Sequence, residues 1–174
     1  MSNTWISSDL HIGHQRIGNF RNGINSDAEN RAWIEEFWWK NIKPRDQVIL
    51  LGDSAFSEEA VDWFARLPGT KINYGGNHDD LPIESYLRAF DKYRGCKNQS
   101  KLGWLSHFPL HPAELRGKFC IHGHVHYETI DDWRYINVCC DNLQESIGQP
   151  FINIEHLRRI IELRKQKQKV VYCK

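Results

Sequence analysis

Three of the chain's nine histidines alternate in the segment Ile121-His122-Gly123-His124-Val125-His126. Side chains two residues apart on a strand point to the same face, so we expect the three imidazoles to converge. Neutral imidazole is the commonest metal ligand among protein side chains. The spacing therefore predicts a metal site.

Four further segments carry oxygen or imidazole ligands, each at the end of an apolar or β-prone run. They are Asp9-Leu10-His11, Gly52-Asp53, Gly76-Asn77-His78-Asp79 and Ser106-His107. An Asp-x-His pair can bind one cation from the same side, although it also occurs by chance in many proteins. A turn would explain the Gly, Asn and Asp of the third segment but not His78. Together the segments predict a site built from several strand ends and a phosphoester hydrolase that uses two metal ions.

Strands and helices must alternate along the chain to position these segments. Apolar or β-branched runs predict strands at residues 4–8, 47–51, 71–74, 102–110, 118–121, 135–140 and 151–154. Helices are predicted over residues 30–42, 57–67, 82–90 and 155–164, and a polar surface connection over residues 91–101. Strands interleaved with helices indicate an α/β layered fold in one domain.

Two of these helices have recognisable starts. Ser26 and Glu29 match a capping box for the first helix. Its apolar stripe comprises Trp33, Ile34, Phe37, Trp38 and Trp39. We interpret the stripe as core packing against a sheet, with a base-stacking platform as the alternative. Ser57 can cap the second helix. Asp53 is therefore not needed as a cap, which favours a role in a site.

Composition sets broad limits on function. The 174 residues are 40% hydrophobic and 12% aromatic, which argues against wholesale disorder. A net charge of +1 neither indicates nor excludes a nucleic-acid surface. No apolar run approaches the roughly 18 residues of a membrane span, so we expect no membrane partner. The N-terminus lacks signal-peptide regions, and the five cysteines show no C-x-x-C spacing, so reduced thiols and the cytoplasm are expected.

The order of the five motifs resembles that of calcineurin-like metallophosphoesterases, with matches from Asp9 to His126. The resemblance is closer to the small single-domain phosphoesterases of bacteria and phages. In that group the first motif continues as Gly13-His14, the second reads Gly-Asp-x-Ala-Phe and the fourth reads Ser-His-x-Pro-Leu. An Ile-Asn-Val strand followed by an Asp, here Asp141, also matches that group.

The resemblance implies a four-layer α/β/β/α sandwich forming a single metallophosphoesterase domain over residues 1–174. The site motifs lie in residues 9–126, a C-terminal strand and helix in 135–165 and a basic tail in 165–174. That charge run is read as a solvated helix end or tail, with steering of an anionic substrate as the alternative.

The resemblance also implies a dinuclear centre. Asp9, His11 and His126 would bind one metal ion. Asn77, His107 and His124 would bind the other, and Asp53 would bridge the two. His122 lies outside this ligand set. Manganese is the expected metal, with iron, zinc and nickel as alternatives, because mixed N/O ligation suits all four. A metal-bridging hydroxide would attack phosphorus in line with the leaving group.

Further roles follow from the same resemblance. His78 would act as general acid or stabilise phosphoryl charge, and Asp79 would orient its imidazole. Independently of the resemblance, His14, Arg16 and Arg21 are candidate phosphate contacts because they lie on the loop after the first motif. A solvated loop residue is the alternative for His14.

The expected substrate is a small phosphoester or a nucleotide. A nuclease acting on DNA or RNA is one alternative, and a non-catalytic scaffold with this fold is another. The second would be expected to have eroded ligands or a replaced His78, and neither is seen. The sequence does not indicate an oligomeric state.

Overall fold

The computed structural model describes residues 2–172, and the side chains of residues 2–168. The end of the predicted basic tail, including Cys173, lies outside the described residues. The strands are β1 (Thr4–Ser7), β2 (Gln47–Leu50), β3 (Thr70–Tyr74), β4 (Lys92–Arg94), β5 (Cys96–Gln99), β6 (Gly103–Ser106), β7 (Cys120–His122), β8 (Tyr135–Asn137) and β9 (Ile152–Asn153). The helices are α1 (Asp27–Asn41), α2 (Glu58–Ala65), α3 (Ile83–Tyr86), α4 (Cys140–Ile147) and α5 (Ile154–Tyr172), with 3₁₀ turns at Ile17–Asn19 and Pro112–Leu115.

The strands form two sheets. The first has the order β4-β3-β2-β1-β9, with β9 antiparallel to β1 and the other pairs parallel. The second has the order β5-β6-β7-β8, in which only the β5–β6 pair is antiparallel. This is a mixed α/β architecture with two sheets flanked by helices, as predicted.

Successive side chains of β2 point to opposite faces of the first sheet and pack into different cores. Val48 and Leu50 pack with α1 and α2, whereas Ile49 packs into the core shared by the two sheets. Both faces of the strand are therefore buried, which explains its continuous apolar sequence. In the shared core, Leu105 and Ile121 of the second sheet pack in the same cluster as Ile49.

Different segments cover the other sides of the two sheets. Ile34 and Trp38 of α1 are fully buried against the first sheet, but Trp39 is 60% exposed. The expectation that Trp39 packs in the core is therefore wrong, because it follows Trp38 on a helix and points away from the buried face. On the second sheet, Cys120 and Tyr135 pack against Leu115 from the 3₁₀ turn.

Ser26 begins α1 as predicted, with one difference in the capping box. Its hydroxyl accepts a hydrogen bond from the Glu29 N–H at 3.2 Å. The Glu29 carboxylate, however, accepts the backbone N–H of Asn25 at 2.8 Å rather than that of Ser26. The helix start is correct and the return contact is shifted by one residue.

Four segment assignments need correction. Residues 91–101 contain β4 and β5, which are edge strands of the two sheets rather than a surface connection. Edge strands carry exposed polar residues, so they lack the apolar signal of central strands. The predicted 135–140 strand ends at Asn137, and Cys140 begins α4. The helix predicted over 82–90 is limited to α3, while α5 extends through the charge run to Tyr172.

Two further observations bear on the expectations from composition. Cys96, Cys120, Cys139 and Cys140 are free thiols. Among the described residues, no helix combines the length and apolar character needed to cross a membrane.

Candidate metal centre

The loops that follow β1 and β2 run side by side. The Asp9 N–H donates to the Gly52 carbonyl at 3.0 Å, and the His11 N–H donates to the Asp53 carbonyl at 2.9 Å. This backbone pairing brings three polar side chains together at one edge of the sheet. His11 Nε2 lies 3.7 Å from Asp9 Oδ1 and 3.7 Å from Asp53 Oδ2.

Two groups of side chains at this edge have their ligand atoms within 4.8 Å of one another. One group is Asp9, His11 and His126, which is the set expected for one metal ion. The other is Asp9, Asp53 and His107. The two groups share Asp9, so they are adjacent halves of one cluster.

Asn77 joins this cluster through two histidines. Its Oδ1 lies 2.9 Å from His107 Nε2 and 2.9 Å from His124 Nδ1. His107 Nδ1 donates to the Leu51 carbonyl at 2.8 Å, which directs Nε2 towards Asn77. The atoms of His107 and His124 that face Asn77 Oδ1 are thus arranged as ligands of a common cation would be. All seven expected ligands therefore lie together, drawn from strand ends of both sheets.

Five of these seven residues have a left-handed backbone. The φ values are 59° for Asp9, 52° for His11, 50° for Asp53, 73° for His124 and 48° for His126. Only two other non-glycine residues in the described part of the chain share this conformation, Lys101 and Arg116. Such a conformation costs about 1–3 kcal/mol per residue and persists where a functional site requires it.

Buried polar atoms without partners indicate what this cluster is suited to bind. Asp9 Oδ2 accepts the His124 N–H at 2.9 Å and the Cys139 thiol at 3.0 Å. Asp9 Oδ1 and His11 Nε2, by contrast, are buried with no hydrogen-bond partner among the described residues. Burial lowers the pKa of His11, so its imidazole is neutral, the form that binds metals. The donor set therefore fits a divalent cation.

His126 is held from behind by Asp141. Its Nδ1 lies 2.7 Å from Asp141 Oδ2, and this hydrogen bond raises the pKa of His126. Arg21 donates to the other oxygen of the same carboxylate at 2.6 Å. The guanidinium is buried, and its remaining N–H groups are donated to the protein. Arg21 therefore faces inward, and the expectation that it contacts a phosphate is wrong.

The other two candidate phosphate contacts differ in position. The His14 ring is half-buried with its centroid 5.8 Å from that of His11, and burial lowers its pKa. Its Nδ1 is buried without a partner among the described residues. Arg16 is exposed on the same loop. The loop thus places His14 beside the cluster and Arg16 at its exterior.

His78 is exposed at the mouth of the cluster. Its backbone N–H donates to Asp53 Oδ1 at 2.9 Å, and its ring centroid lies 6.1 Å from that of His11. The ring therefore stands on the solvent side of the cluster.

Asp79 does not orient the His78 ring as expected. Its carboxylate accepts the N–H groups of Gly76 at 2.9 Å and of Asp53 and Ser54 at 3.1 Å each. Burial raises the pKa of Asp79. The carboxylate thus ties the loop after β3 to the loop after β2. Both oxygens are engaged in this way because backbone amides, rather than the imidazole, face it.

His122 and His111 lie outside the cluster. His122 is buried, its Nδ1 donates to the Gly123 carbonyl at 2.9 Å, and it belongs to neither ligand group. His111 is exposed and accepts the Ala113 N–H at the start of a 3₁₀ turn. The alternation of His122, His124 and His126 therefore does not bring all three imidazoles to one ion.

Sequence reasoning missed several residues that support the site. Cys139 donates to the Asp9 side chain, and the Cys140 thiol donates to the Asp9 carbonyl at 3.2 Å. The Asn30 side chain donates to the Leu10 carbonyl at 2.9 Å. Neither two adjacent cysteines nor an asparagine within a helix forms a recognisable motif. The one available signal was a polar residue, Asn30, at a buried helical position.

Comparisons with known proteins cover three quarters of the chain or more. A family model described as calcineurin-like phosphoesterase matches residues 2–171. The Gene 66 protein of Mycobacterium phage L5 is 31% identical over 167 residues, covering 75% of this chain and 80% of the relative. An uncharacterized protein of Methanocaldococcus jannaschii is 28% identical over 145 residues, covering 79% and 77%. In structure, a protein of unknown function from Aquifex aeolicus shares the fold, with a TM-score of 0.70, 24% identity and coverage of 92% and 100%.

Proposed function

Because the chain belongs to the calcineurin-like phosphoesterase family, we propose that it hydrolyses phosphoesters with two divalent cations bound at the strand ends. One observation carries this proposal: the buried atoms Asp9 Oδ1 and His11 Nε2 lie 3.7 Å apart without hydrogen-bond partners. Leaving such atoms unpaired costs free energy, and a bound cation would recover it.

The family resemblance assigns the seven proposed ligands to two ions. Asp9, His11 and His126 would hold one ion, and Asn77, His107 and His124 the other. The position of Asp53 suits a bridge, since its Oδ2 lies 3.7 Å from His11 Nε2 and 3.6 Å from His107 Nε2. Carboxylate, amide and imidazole ligands together suit manganese, with iron, zinc and nickel as alternatives.

Two cations at this position would lower the pKa of a bound water and neutralise charge on the phosphoryl oxygens. The chain itself supplies the remaining functions. His78 stands exposed next to the ligand Asn77, where a protonated imidazole would donate its proton to the leaving oxygen. Asp79 holds the loop that carries both residues through its hydrogen bond from Gly76.

The proposed substrate is a small phosphoester, which the open side of the cluster supports. Asn77 and His78 are exposed, so the reacting phosphate would bind next to solvent. Such a site accommodates a small phosphoester or a nucleotide. Hydrolysis of DNA or RNA remains the alternative, and a steep loss of such activity with added salt would favour it.

The test is an activity screen of metal-free protein reconstituted with Mn²⁺, Ni²⁺ or Zn²⁺. A chromogenic phosphodiester and a chromogenic monoester are the substrates, and bound metal is counted by elemental analysis. Asp53→Asn should lower activity by more than about 100-fold. This exceeds the loss of about 10–100-fold that is typical when a residue supporting a metal ligand is removed. Asp46→Asn is the matched control, because Asp46 is a buried carboxylate that accepts the N–H groups of Asn3 and Lys43 instead.

Wild-type protein that hydrolyses neither substrate with any of the three metals would refute the enzyme proposal. Binding of far fewer than two ions per chain would refute its dinuclear part. Equal losses in Asp53→Asn and Asp46→Asn would show that Asp53 acts only through stability.

A further inference from the structure

A buried ion pair lies directly behind His126. Asp141, in the first turn of α4, accepts the Arg21 Nε–H at 2.6 Å and the Nη2–H at 3.3 Å. Arg21 is 4% exposed and Asp141 is 3% exposed. Asp141 Oδ2 also lies 2.7 Å from His126 Nδ1. The three side chains thus form a chain of hydrogen bonds in which only His126 reaches the cluster.

The same guanidinium also holds the backbone of Asp9, a second ligand of the site that contains His126. Arg21 Nη2 donates to the Asp9 carbonyl at 2.7 Å, and Nη1 donates to the Leu10 carbonyl at 3.2 Å. Nη1 also donates to the Asn30 side-chain oxygen. All five N–H groups are therefore used within the protein, as a planar fork with fixed directions allows. Lysine, with a single ammonium, would not reproduce this set.

We infer that Arg21 and Asp141 are positioning residues that fix the orientation of His126 relative to Asp9. The inference rests on the proposed function, because it assigns these two residues to the first of its two metal sites. With Nδ1 committed to Asp141, the imidazole presents Nε2 to the cluster as its free nitrogen. Arg21 in turn prevents the Asp141 carboxylate from rotating. It also anchors the backbone of Asp9.

The arrangement predicts an effect on one ion rather than both. The second group of ligands has its own support, since His107 is held by the Leu51 carbonyl at 2.8 Å. Neither Arg21 nor Asp141 contacts His107, Asn77 or His124 in any hydrogen bond of the described structure. Loss of Asp141 should therefore weaken the site that contains His126 and leave its neighbour intact.

Calorimetric titration of metal-free protein with Mn²⁺ alone tests this inference. Wild type should bind two ions, and Asp141→Asn should bind one of them about 10–100-fold more weakly, with the other unchanged. Asp46→Asn, which removes a buried carboxylate elsewhere, should retain both affinities. If Asp141→Asn binds both ions as wild type does, the inference is overturned while the proposed function stands. If wild type binds no ion, both are overturned.

Asp141 also neutralises the buried Arg21, so Asp141→Asn risks failing to fold. A second measurement therefore uses the wild-type protein loaded with diamagnetic Zn²⁺. Proton–nitrogen correlation spectra of the histidine rings should show a protonated, hydrogen-bonded Nδ1 for His126 and a metal-shifted Nε2. A His126 ring bound to the metal through Nδ1 would overturn the inference regardless of how the variant behaves.

Discussion

The thiol of Cys139 donates a hydrogen bond to Asp9 Oδ2 across 3.0 Å. Burial raises the pKa of this thiol well above its usual range, and the Asp9 charge adds to the effect, so the sulfur keeps its proton. Together with the His124 N–H, the thiol occupies Oδ2 and leaves Oδ1 for a cation. A cysteine thus acts here as a hydrogen-bond donor and not as a nucleophile.

Removal of that donor should weaken metal binding. Cys139→Ala is expected to lower Mn²⁺ affinity about 10–100-fold, the usual effect of losing a hydrogen bond to a ligand. Cys139→Ser keeps a donor of similar size and should stay closer to wild type. Calorimetric titration of the metal-free proteins gives both values, and equal affinity for the alanine variant would contradict the assignment.

His78 should affect turnover and not metal content. His78→Ala is expected to lower kcat by about 10²–10⁴-fold, the contribution typical of a general acid. Because His78 belongs to neither ligand group, the variant should retain wild-type metal content. His156, exposed on α5, provides the matched control His156→Ala, which should leave kcat unchanged. Parallel steady-state kinetics and elemental analysis separate the two effects, and a loss of metal in His78→Ala would reassign the residue as a ligand.

Gly76 is required by a close approach to Asp53. A Cβ atom at this position would lie 2.1 Å from Asp53 Oδ1 and 2.5 Å from its backbone N. Gly76→Ala must therefore displace Asp53, and we expect a lower Tm together with loss of bound metal. Gly95→Ala is the control, since a Cβ there meets nothing within 4 Å. Thermal melts of both variants with and without Mn²⁺ test this, and wild-type metal binding by Gly76→Ala would refute it.

Two neighbouring tryptophans of α1 should differ sharply in their contribution to stability. Trp38 is fully buried and its Nε1–H donates to the Pro68 carbonyl at 2.9 Å. Trp38→Ala is expected to cost about 3–5 kcal/mol of unfolding free energy. Trp39→Ala, at an exposed position, should change it by no more than about 0.5 kcal/mol. Urea unfolding curves measure both, and similar losses would contradict the burial pattern.

The ion pair of Asp132 and Arg134 provides a pH-dependent prediction. Hydrogen bonds from Arg134 lower the pKa of Asp132 below its ordinary value of 3.8. The carboxylate therefore stabilises the fold above that value, and the contribution is lost as the pH falls through the folded-state pKa. Asp132→Asn should be less stable than wild type by up to about 1 kcal/mol at neutral pH. Urea curves at falling pH should converge, and a gap that persists in acid would exclude this ion pair as the cause.

Local patterns predicted most of the strands and the polar side chains that follow them. Asp53 follows the apolar run of β2, and Ser57 already caps the next helix, so the sequence offered Asp53 no structural role. In the structure Asp53 lies between His11 and His107. Such inferences succeed because strand burial and helix capping depend on neighbouring residues.

Contacts between distant residues were not predictable in this way. Arg21 and Asp141 lie 120 positions apart, and no local pattern distinguishes a buried arginine from one that contacts phosphate. The Asp79 carboxylate looked like a partner of His78, but the folded loop presents backbone N–H groups to it instead. β4 and β5 were missed because edge strands are polar.

The division of the ligands between two sheets has a consequence for how the protein is made. The loops of the first sheet carry Asp9, His11, Asp53 and Asn77, and the second sheet carries His107, His124 and His126. A nascent chain that has not yet emerged past β7 holds only part of either ligand set. The centre can therefore be complete only after residue 126 has been synthesised and both sheets are in place. An ion that joins both sheets would then favour the finished protein over every shorter intermediate on the ribosome.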